Sequence, residues 1–380
     1  MVSNGLLRGL VFLIFLVFSF QLECKDEKNE PVDWFVIYKF PKENHAIKPI
    51  NQGLGYMYLT SKVYTTWMLS VKTINDTNSM VAYTLSPLYD VKDKLTYILY
   101  NDESPYGPKT STKGHTKGIV MAENYGGFWL IHSVPHFPHS LNHYQYPETG
   151  IHYGQSFLCV SLDLENLNTV GLQLQYNEVP IFAQNILEDL AKTIPELAKA
   201  ASNITITSSP WFSIKEITSK DGAKFVSFAK SRHFLKDLYS DLVAPSLQSN
   251  LWVETWPNEP NRLPSSCDNT FQVFNVLSLL VSLGDVTFFS TVDHSKWAVS
   301  TNVTKNYWTC VGDINRAVGN FVSGFSQLIF FLGKTNQTWW GNPVLQQPKS
   351  SCQLSNVNKI NRKMLIKEYL GQNYFIYNQI

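Results

Sequence analysis

The feature that most constrains this 380-residue chain is a His-x-Lys unit that occurs twice. One copy is His115-Thr116-Lys117, and the other is His294-Ser295-Lys296, 179 residues later (294 − 115) and therefore near half the chain length. In an extended segment, residues two apart point to the same side. Each unit would therefore present an imidazole and an ammonium group together, and we expect the fold to bring the two halves of the chain around one site.

The pattern of apolar residues supports a mixed fold. Residues 33–40 alternate aromatic and β-branched side chains, as an opening strand does. Helical spacing runs from Ile181 to about Ser202 and is broken at Pro195, and strand-like runs resume before and after the second unit. We predict an α/β fold with two pseudo-symmetric lobes, each a β-sheet flanked by helices, and one shared active site between them.

The amino terminus predicts a signal peptide over residues 1–23. Arg8 is the only charge before an apolar run from Gly9 to Phe20, which is too short to span a bilayer comfortably. A retained membrane anchor is the alternative, and no second segment is long and apolar enough to span. The remaining predicted units are an N-terminal lobe at 24–175, a C-terminal lobe at 176–352 and a tail of unknown role at 353–380.

Sequons and cysteines indicate the secretory route. We expect glycosylation at four Asn-x-Ser/Thr sequons, namely Asn75, Asn203, Asn302 and Asn336. There are five cysteines, so at least one thiol is unpaired or is lost with the signal peptide: Cys24, Cys159, Cys267, Cys310 and Cys352. We therefore predict a glycosylated protein that is lysosomal or secreted.

The charge of the protein depends on the compartment. The formal net charge is +1 with nine neutral histidines, so the charge at neutral pH does not indicate a protein that binds nucleic acid. Near pH 5, protonation of all nine would raise it to about +10. A chain of this composition is nearly neutral outside an acidic compartment and cationic inside one.

Two histidines with two lysines suit the hydrolysis of a phosphodiester. The lysines would hold the anionic oxygens, and one neutral histidine would attack phosphorus to form a phosphohistidine. The other, protonated, histidine would donate to the leaving oxygen and then activate water. This chemistry requires no metal and no cofactor. A second group, His132, His136, His139 and His143, has the look of a metal site, but Pro135 and Pro138 break any helix that would align it, and we expect a solvated loop with His132 inside the active site.

Five residues of the second half resemble the half-site of the phospholipase D-like superfamily: His294, Lys296, Gly312, Asn315 and Arg316. More closely, the chain resembles the deoxyribonuclease II family over residues 24 to about 352. The matching runs are Val32–Lys39, Tyr100–Asp102, Gly114–Gly118, Gly127–Pro135, Tyr153–Ser156, Phe228–Lys230, Asp293–Lys296 and Trp308–Arg316. The stretch Gly324–Ile329 and Ala298 depart from the family pattern.

The resemblance implies a phospholipase D-like fold and metal-independent cleavage of double-stranded DNA to 3′-phosphate ends. It implies His115, Lys117, His294 and Lys296 as catalytic residues. His132 and Asn315 would be supporting residues, Asn315 by a hydrogen bond to phosphate or by positioning a catalytic group. With the odd cysteine count, it also implies Cys24–Cys159 and Cys267–Cys352 disulfides and a free Cys310.

Two other functions remain open at this stage. The chain could act on another phosphodiester, such as a phospholipid or RNA, or it could bind nucleic acid without cutting it. The four intact His-x-Lys side chains argue against the binding protein. The sequence leaves the oligomeric state open between monomer and homodimer.

Overall fold

The structure is a computed structural model that describes residues 21–110, 112–301, 308–322 and 325–331. Most of the predicted signal peptide, Asn302, Asn336, Cys352 and the tail at 353–380 lie outside the described residues. The chain is a mixed α/β protein with several sheets, as the sequence predicted.

The elements of the first half come in this order: β1 (Cys24–Lys25), β2 (Pro31–Val32), β3 (Trp34–Lys39), β4 (Tyr56–Thr60), β5 (Val63–Leu69), α1 (Met80–Asp90), β6 (Thr96–Asn101), β7 (Lys117–Glu123), β8 (Gly126–His132), β9 (Gln155–Leu162), α2 (Leu164–Asn177) and β10 (Ile181–Asn185). The second half continues with α3 (Glu188–Thr193), α4 (Pro195–Ala201), β11 (Phe212–Thr218), β12 (Lys224–Lys230), α5 (Ala244–Leu247), β13 (Leu251–Glu254), β14 (Val273–Asn275), β15 (Ser278–Val281), β16 (Val286–Phe289), β17 (Trp297–Ser300), β18 (Trp308–Gly312) and β19 (Phe325–Phe331). Short 3₁₀ turns cover Ile50–Gln52, Lys92–Lys94, Glu148–Gly150, Arg232–Phe234, Ser282–Gly284, Ser290–Val292 and Val318–Val322, and a π-helical turn covers Tyr239–Val243.

Two large sheets dominate the described part of the chain. The first has eight strands in the order β10-β6-β7-β8-β9-β3-β4-β5, and all of its pairs are antiparallel. The second has seven strands in the order β11-β12-β19-β18-β17-β13-β14, with a parallel pair only at β13–β14. Each His-x-Lys unit is attached to a different large sheet, since Lys117 begins β7 and Lys296 directly precedes β17.

The two sheets share one hydrophobic cluster. It contains Trp34 and Val36 of β3 together with Trp297 of β17 and Val311 of β18. Helix α2 contacts strands of both sheets, and its Leu167, Val170 and Leu174 are buried in this cluster. Each such side chain contributes about 1.5–3 kcal/mol when it leaves water, so α2 ties the sheets into a common core.

Close packing of α2 against α4 depends on a glycine. A Cβ at Gly171 would lie 2.2 Å from the backbone nitrogen of Leu197. That distance is far inside van der Waals contact, so only glycine permits this approach of the two helices. Asp163 caps α2 by accepting a hydrogen bond from the backbone N–H of Asn166 at 2.8 Å.

The helix predicted over 181–202 is partly wrong. Ile181–Asn185 forms the edge strand β10, which pairs with β6, and only α3 and α4 are helical. The apolar spacing is compatible with either state, and pairing with an available sheet edge decided it. The break expected at Pro195 is present, because α4 begins there. β10 lies beyond residue 175 yet belongs to the first sheet, and the boundary between lobes at 175/176 stays a prediction.

Cys24 and Cys159 form the disulfide that the family resemblance implied, across a separation of 135 residues. Cys310 is a buried free thiol, again as expected. Cys267 is disulfide-bonded, and its pairing with Cys352 stays a prediction because Cys352 is not described.

Two of the sequons can be located. Asn75 and Asn203 are both exposed, while the other two are not described. Among the described helices, none has the length and apolar character needed to cross a membrane.

Candidate active site

The structure brings His115, His294 and Asn315 to one cleft with a volume of about 590 Å³. His115 comes from the loop that leads into β7 of the first sheet, and the other two come from segments next to the second sheet. Further lining residues come from the loops after β6, β8 and β13: Glu103, Lys109, Pro135, Glu148, Thr149, His152, Tyr153, Gln155, Trp256, Asn258, Glu259 and Pro260.

The first unit is set by the pairing of β6 with β7. Asn101 at the end of β6 is opposite Lys117 at the start of β7, so Asp102 lies beside both functional side chains. The Nδ1 atom of His115 lies 2.8 Å from Oδ2 of Asp102, and the Lys117 ammonium pairs with Oδ1. Since Nδ1 donates to the carboxylate, Nε2 is the His115 nitrogen left to react in the cleft.

The second unit is held by the first sheet. Asp293 forms a bridge to Gly154, and the backbone N–H of His294 donates to the Gly154 carbonyl at 2.9 Å. A Cβ at Gly154 would lie 2.4 Å from Oδ1 of Asp293, so a larger residue would displace this segment. His294 therefore lies in the segment between the turn at Ser290–Val292 and β17.

The imidazole of His294 is hydrogen-bonded to a backbone carbonyl, whereas that of His115 is hydrogen-bonded to a carboxylate. Its Nδ1 lies 3.0 Å from the Ser133 carbonyl oxygen and 3.0 Å from the Lys296 ammonium. Lys296 also donates to the His294 carbonyl oxygen at 2.6 Å. The Ser133 carbonyl only accepts, so its hydrogen bond with His294 requires the proton on Nδ1. Lys296 then donates to the His294 carbonyl oxygen, and Nε2 is the ring nitrogen with a free lone pair.

The electrostatic surroundings of the two histidines differ. Burial, reinforced by Lys296 and Lys117, lowers the pKa of His294 well below its ordinary value. Burial also lowers the pKa of His115, but Asp102 opposes that shift. Burial alone would raise the pKa of Asp102, yet His115 and Lys117 together hold it far below its usual range. His294 is therefore held neutral, and the Asp102 carboxylate makes His115 the easier of the two histidines to protonate.

Asn315 is fixed beside His115. Its Oδ1 accepts from the backbone N–H of Trp256 at 3.3 Å, and its Nδ2 donates to Oε2 of Glu259 at 2.6 Å. The same Nδ2 lies 3.4 Å from Nε2 of His115. Trp256 also packs edge-on against His294, with ring centroids 5.3 Å apart. The loop after β13 therefore contacts both Asn315 and His294.

Two buried carboxylates of the second half of the chain form hydrogen bonds with residues of the first half. Asp313, which follows β18, accepts hydrogen bonds from the Thr116 hydroxyl and, at 3.2 Å, from the Lys117 backbone N–H. Asp293 accepts from the Tyr38 hydroxyl of β3 at 2.9 Å. Burial raises the pKa of Asp313 to about 7. Both carboxylates come from the second half of the chain and accept hydrogen bonds from the first half, so they hold the two halves together at the site.

The remaining predicted residues lie behind the cleft. Lys117 and Lys296 are buried and are absent from the described lining of the cleft. His132 is buried against Phe137 and Phe157, with ring centroids 5.2 and 5.8 Å away, and burial lowers its pKa to about 3. Over the described ranges, no group of three or more His, Cys, Asp or Glu side chains is arranged to hold a metal ion.

Sequence reasoning gave no role to Asp102, Ser133 or Glu259. Asp102 carried a signal, since a charge directly after the buried strand β6 is unusual unless it is paired. Ser133 acts through its backbone carbonyl, and Glu259 lies in a Pro/Asn-rich loop, so neither has a recognisable pattern in the sequence.

Comparison with known proteins identifies the family. The deoxyribonuclease II family model matches residues 23–325. Plancitoxin-1 of Acanthaster planci is 36% identical over 309 residues, which cover 80% of this chain and 86% of that protein. Deoxyribonuclease-2 of Caenorhabditis elegans is 36% identical, covering 79% and 87%, and rat deoxyribonuclease-2-alpha is 37% identical, covering 78% and 85%.

The chain is thus a nuclease of the class that degrades DNA. It belongs to the deoxyribonuclease II family, as the sequence motifs predicted. Yeast tyrosyl-DNA phosphodiesterase, a solved structure, matches with a TM-score of 0.28 and 10% identity over 59% of this chain and 68% of that one. A likeness at that level carries no argument about the fold or the site.

Proposed function

We propose that this protein is an acid, metal-independent endonuclease that cuts double-stranded DNA to 3′-phosphate ends through a phosphohistidine intermediate. We further propose that the two large sheets belong to two pseudo-symmetric lobes of a phospholipase D-like fold that share this active site. The observation that carries the proposal is one cleft that contains two histidines with unequal partners, a carbonyl for His294 and a carboxylate for His115.

In the first step, His294 acts as the nucleophile. Its neutral Nε2 attacks the phosphorus, and the bond from phosphorus to the 5′ oxygen breaks. His115, charged beside Asp102, gives its Nε2 proton to that oxygen. The first product leaves with a 5′ hydroxyl, and the DNA 3′-phosphate remains bonded to His294.

In the second step, water replaces the histidine. The now neutral Nε2 of His115 takes a proton from water, whose oxygen attacks the phosphorus, and the bond to His294 breaks. The product is a 3′-phosphate, and both histidines return to their starting states. Because turnover needs His115 charged and burial lowers its pKa, this assignment predicts that activity is greatest at acid pH.

Asn315 and the lysines stabilise charge in this scheme. Asn315 is close enough to Nε2 of His115 to donate to a phosphate oxygen bound between the histidines. Lys117 and Lys296 supply positive charge from behind the histidines. Preorganised positive charge and N–H donors act strongly in a site that excludes water.

We also propose that the protein works in the lysosome or outside the cell, after removal of its signal peptide and glycosylation. Exposure of Asn75 and Asn203 and the Cys24–Cys159 disulfide support a secretory route. Treatment of the protein from animal cells with an N-glycosidase should increase its electrophoretic mobility, and unchanged mobility would argue against glycosylation.

The proposed reaction predicts that purified protein nicks and linearises plasmid DNA at about pH 5, cuts poorly at about pH 7.5 and is unaffected by a chelator. The product ends should resist 3′ extension until a phosphatase has been added. Loss of cutting with the chelator would contradict the two-histidine mechanism. Ends that can be extended directly would contradict the proposed direction of cleavage.

A second prediction concerns Asp102. Replacing it with asparagine removes the carboxylate that raises the pKa of His115, so the pKa should fall and the alkaline limb of the kcat/KM profile should move to lower pH. By comparison with other His–Asp pairs, kcat should fall by about 10²–10⁴-fold. The conservative control is Asp76→Asn, a loop carboxylate that does not line the cleft. An unmoved alkaline limb would show that His115 is not the acid.

A further inference from the structure

The loop that follows β13 contacts Asn315, the predicted phosphate-binding residue, and its neighbour Arg316. The backbone N–H of Trp256 donates to Asn315, as described above, and the hydroxyl of Thr255 accepts from the Arg316 backbone N–H at 3.3 Å. On its other side, the amide of Asn258 donates to the Thr291 carbonyl at 2.9 Å, close to His294. The loop is therefore anchored to both segments of the second half that carry site residues.

Glu259 is the charged group of this loop that reaches the site. Its Oε2 accepts from Nδ2 of Asn315 at 2.6 Å and from Nδ2 of Asn320 at 3.2 Å. Asn320 also donates to the Asn315 carbonyl at 2.9 Å. Glu259 is half-buried and lines the same cleft as His115 and His294.

These contacts determine the orientation of the Asn315 amide. Its oxygen is bound by the Trp256 N–H, and one of its two N–H groups is bound by Glu259. With the oxygen and nitrogen ends fixed in this way, the amide cannot flip without losing both bonds. The second N–H is left on the side of His115, where the reacting phosphate would bind.

The Glu259 carboxylate also places a negative charge where an anionic substrate must bind. The cations that face it are Lys109 and Lys296, both of which interact electrostatically with it. His115 and His294 share the cleft, and two further carboxylates, Glu103 and Glu148, line it. A carboxylate in direct contact with Asn315 should therefore oppose phosphate binding while it holds the amide that stabilises the transition state.

We propose that Glu259 is a positioning residue that orients Asn315 for catalysis, and that its charge weakens the binding of DNA. This inference rests on the proposed function, since it gives Asn315 a phosphate oxygen to bind. A hydrogen bond to a charged acceptor is short and strong, which suits a residue that must hold an amide in one orientation.

Two substitutions separate the two effects. Glu259→Gln keeps an oxygen acceptor and removes the charge, so kcat should stay within about twofold while KM falls about threefold or more. Glu259→Ala removes the acceptor as well, and kcat should fall about tenfold or more because the amide is no longer oriented. The matched comparison is Glu148→Gln, which removes a carboxylate of the same cleft that is not bonded to Asn315, so KM should fall less than it does for Glu259→Gln.

A double-mutant cycle tests the coupling to Asn315. If Glu259 acts through that amide, Glu259→Ala should lower kcat in the parent protein but have little further effect in an Asn315→Ala background. Additive losses, or a Glu259→Ala protein with the parent kcat, would overturn the positioning role. Equal falls in KM for Glu259→Gln and Glu148→Gln would overturn the assignment of the charge effect to Glu259.

A binding measurement distinguishes failure of this inference from failure of the proposed function. In a His294→Ala background, the affinity for a short fluorescent DNA duplex is measured by anisotropy, with and without Glu259→Gln. Affinity should rise about threefold or more, and an unchanged affinity would overturn the charge effect whether or not the parent protein cuts DNA. A parent protein that cuts no DNA while Glu259→Gln still binds more tightly would overturn the proposed function alone.

Discussion

Replacing His294 with alanine is expected to abolish DNA cleavage, with a fall in kcat on the order of 10⁴-fold or more. His294 combines a lone pair at Nε2, a pKa held well below its ordinary value and a place on the cleft beside Trp256. In the proposed reaction, His294 is the only side chain that becomes bonded to phosphorus. The measurement is the initial rate of plasmid cleavage by the purified variant at acid pH.

The control for this prediction is another histidine. His139 is exposed in the loop after β8 and is absent from the lining of the cleft, so His139→Ala should keep the parent rate. Circular dichroism should show that both variants are folded. Cleavage by His294→Ala at even one hundredth of the parent rate would mean that another group attacks phosphorus.

Removing the Cys24–Cys159 disulfide is expected to lower the free energy of unfolding by about 2–5 kcal/mol. The bond closes a long loop, with a sequence separation of 135 residues, so it removes much conformational freedom from the unfolded chain. It also fixes the short strand β1 to β9 in the middle of the first sheet, where both sulfur atoms are buried. The expected result for Cys24→Ala/Cys159→Ala is a lower midpoint of urea unfolding.

Cys310→Ala is the matched control, because it removes a buried sulfur atom without breaking a disulfide. The free energy of unfolding should fall by about 1 kcal/mol, the cost of a small cavity. Equal losses for the double variant and for Cys310→Ala would show that the cross-link contributes nothing beyond packing.

The resemblance predicted the family correctly, because the order and spacing of its motifs are preserved along the chain. The catalytic roles of the site residues stay predictions. Helix and strand boundaries were predicted less well. Ile181–Asn185 was expected to be helical, but the open edge of β6 made a strand of it. A local pattern cannot report whether a distant edge is available, because the pairing is formed only in the tertiary structure.

The orientation of the site residues was beyond sequence reasoning for a related reason. The lysines were expected at the phosphate, yet both are buried behind the histidines, where one pairs with Asp102 and the other with His294. The carbonyl of Ser133 faces His294 only because β8 and the second unit converge. Backbone groups are the same at every position, so no sequence pattern marks the one that is used.

The sequence by itself determined the chemistry available to this protein: two histidines, two lysines and an asparagine in spacings typical of a phosphodiester hydrolase. Only the tertiary structure decided how those groups differ. It placed a carboxylate beside His115 and a carbonyl beside His294, and it placed Glu259 on the amide of Asn315. The physical reason is that a pKa and a donor direction are set by neighbours in space, which the fold brings together from distant parts of the chain.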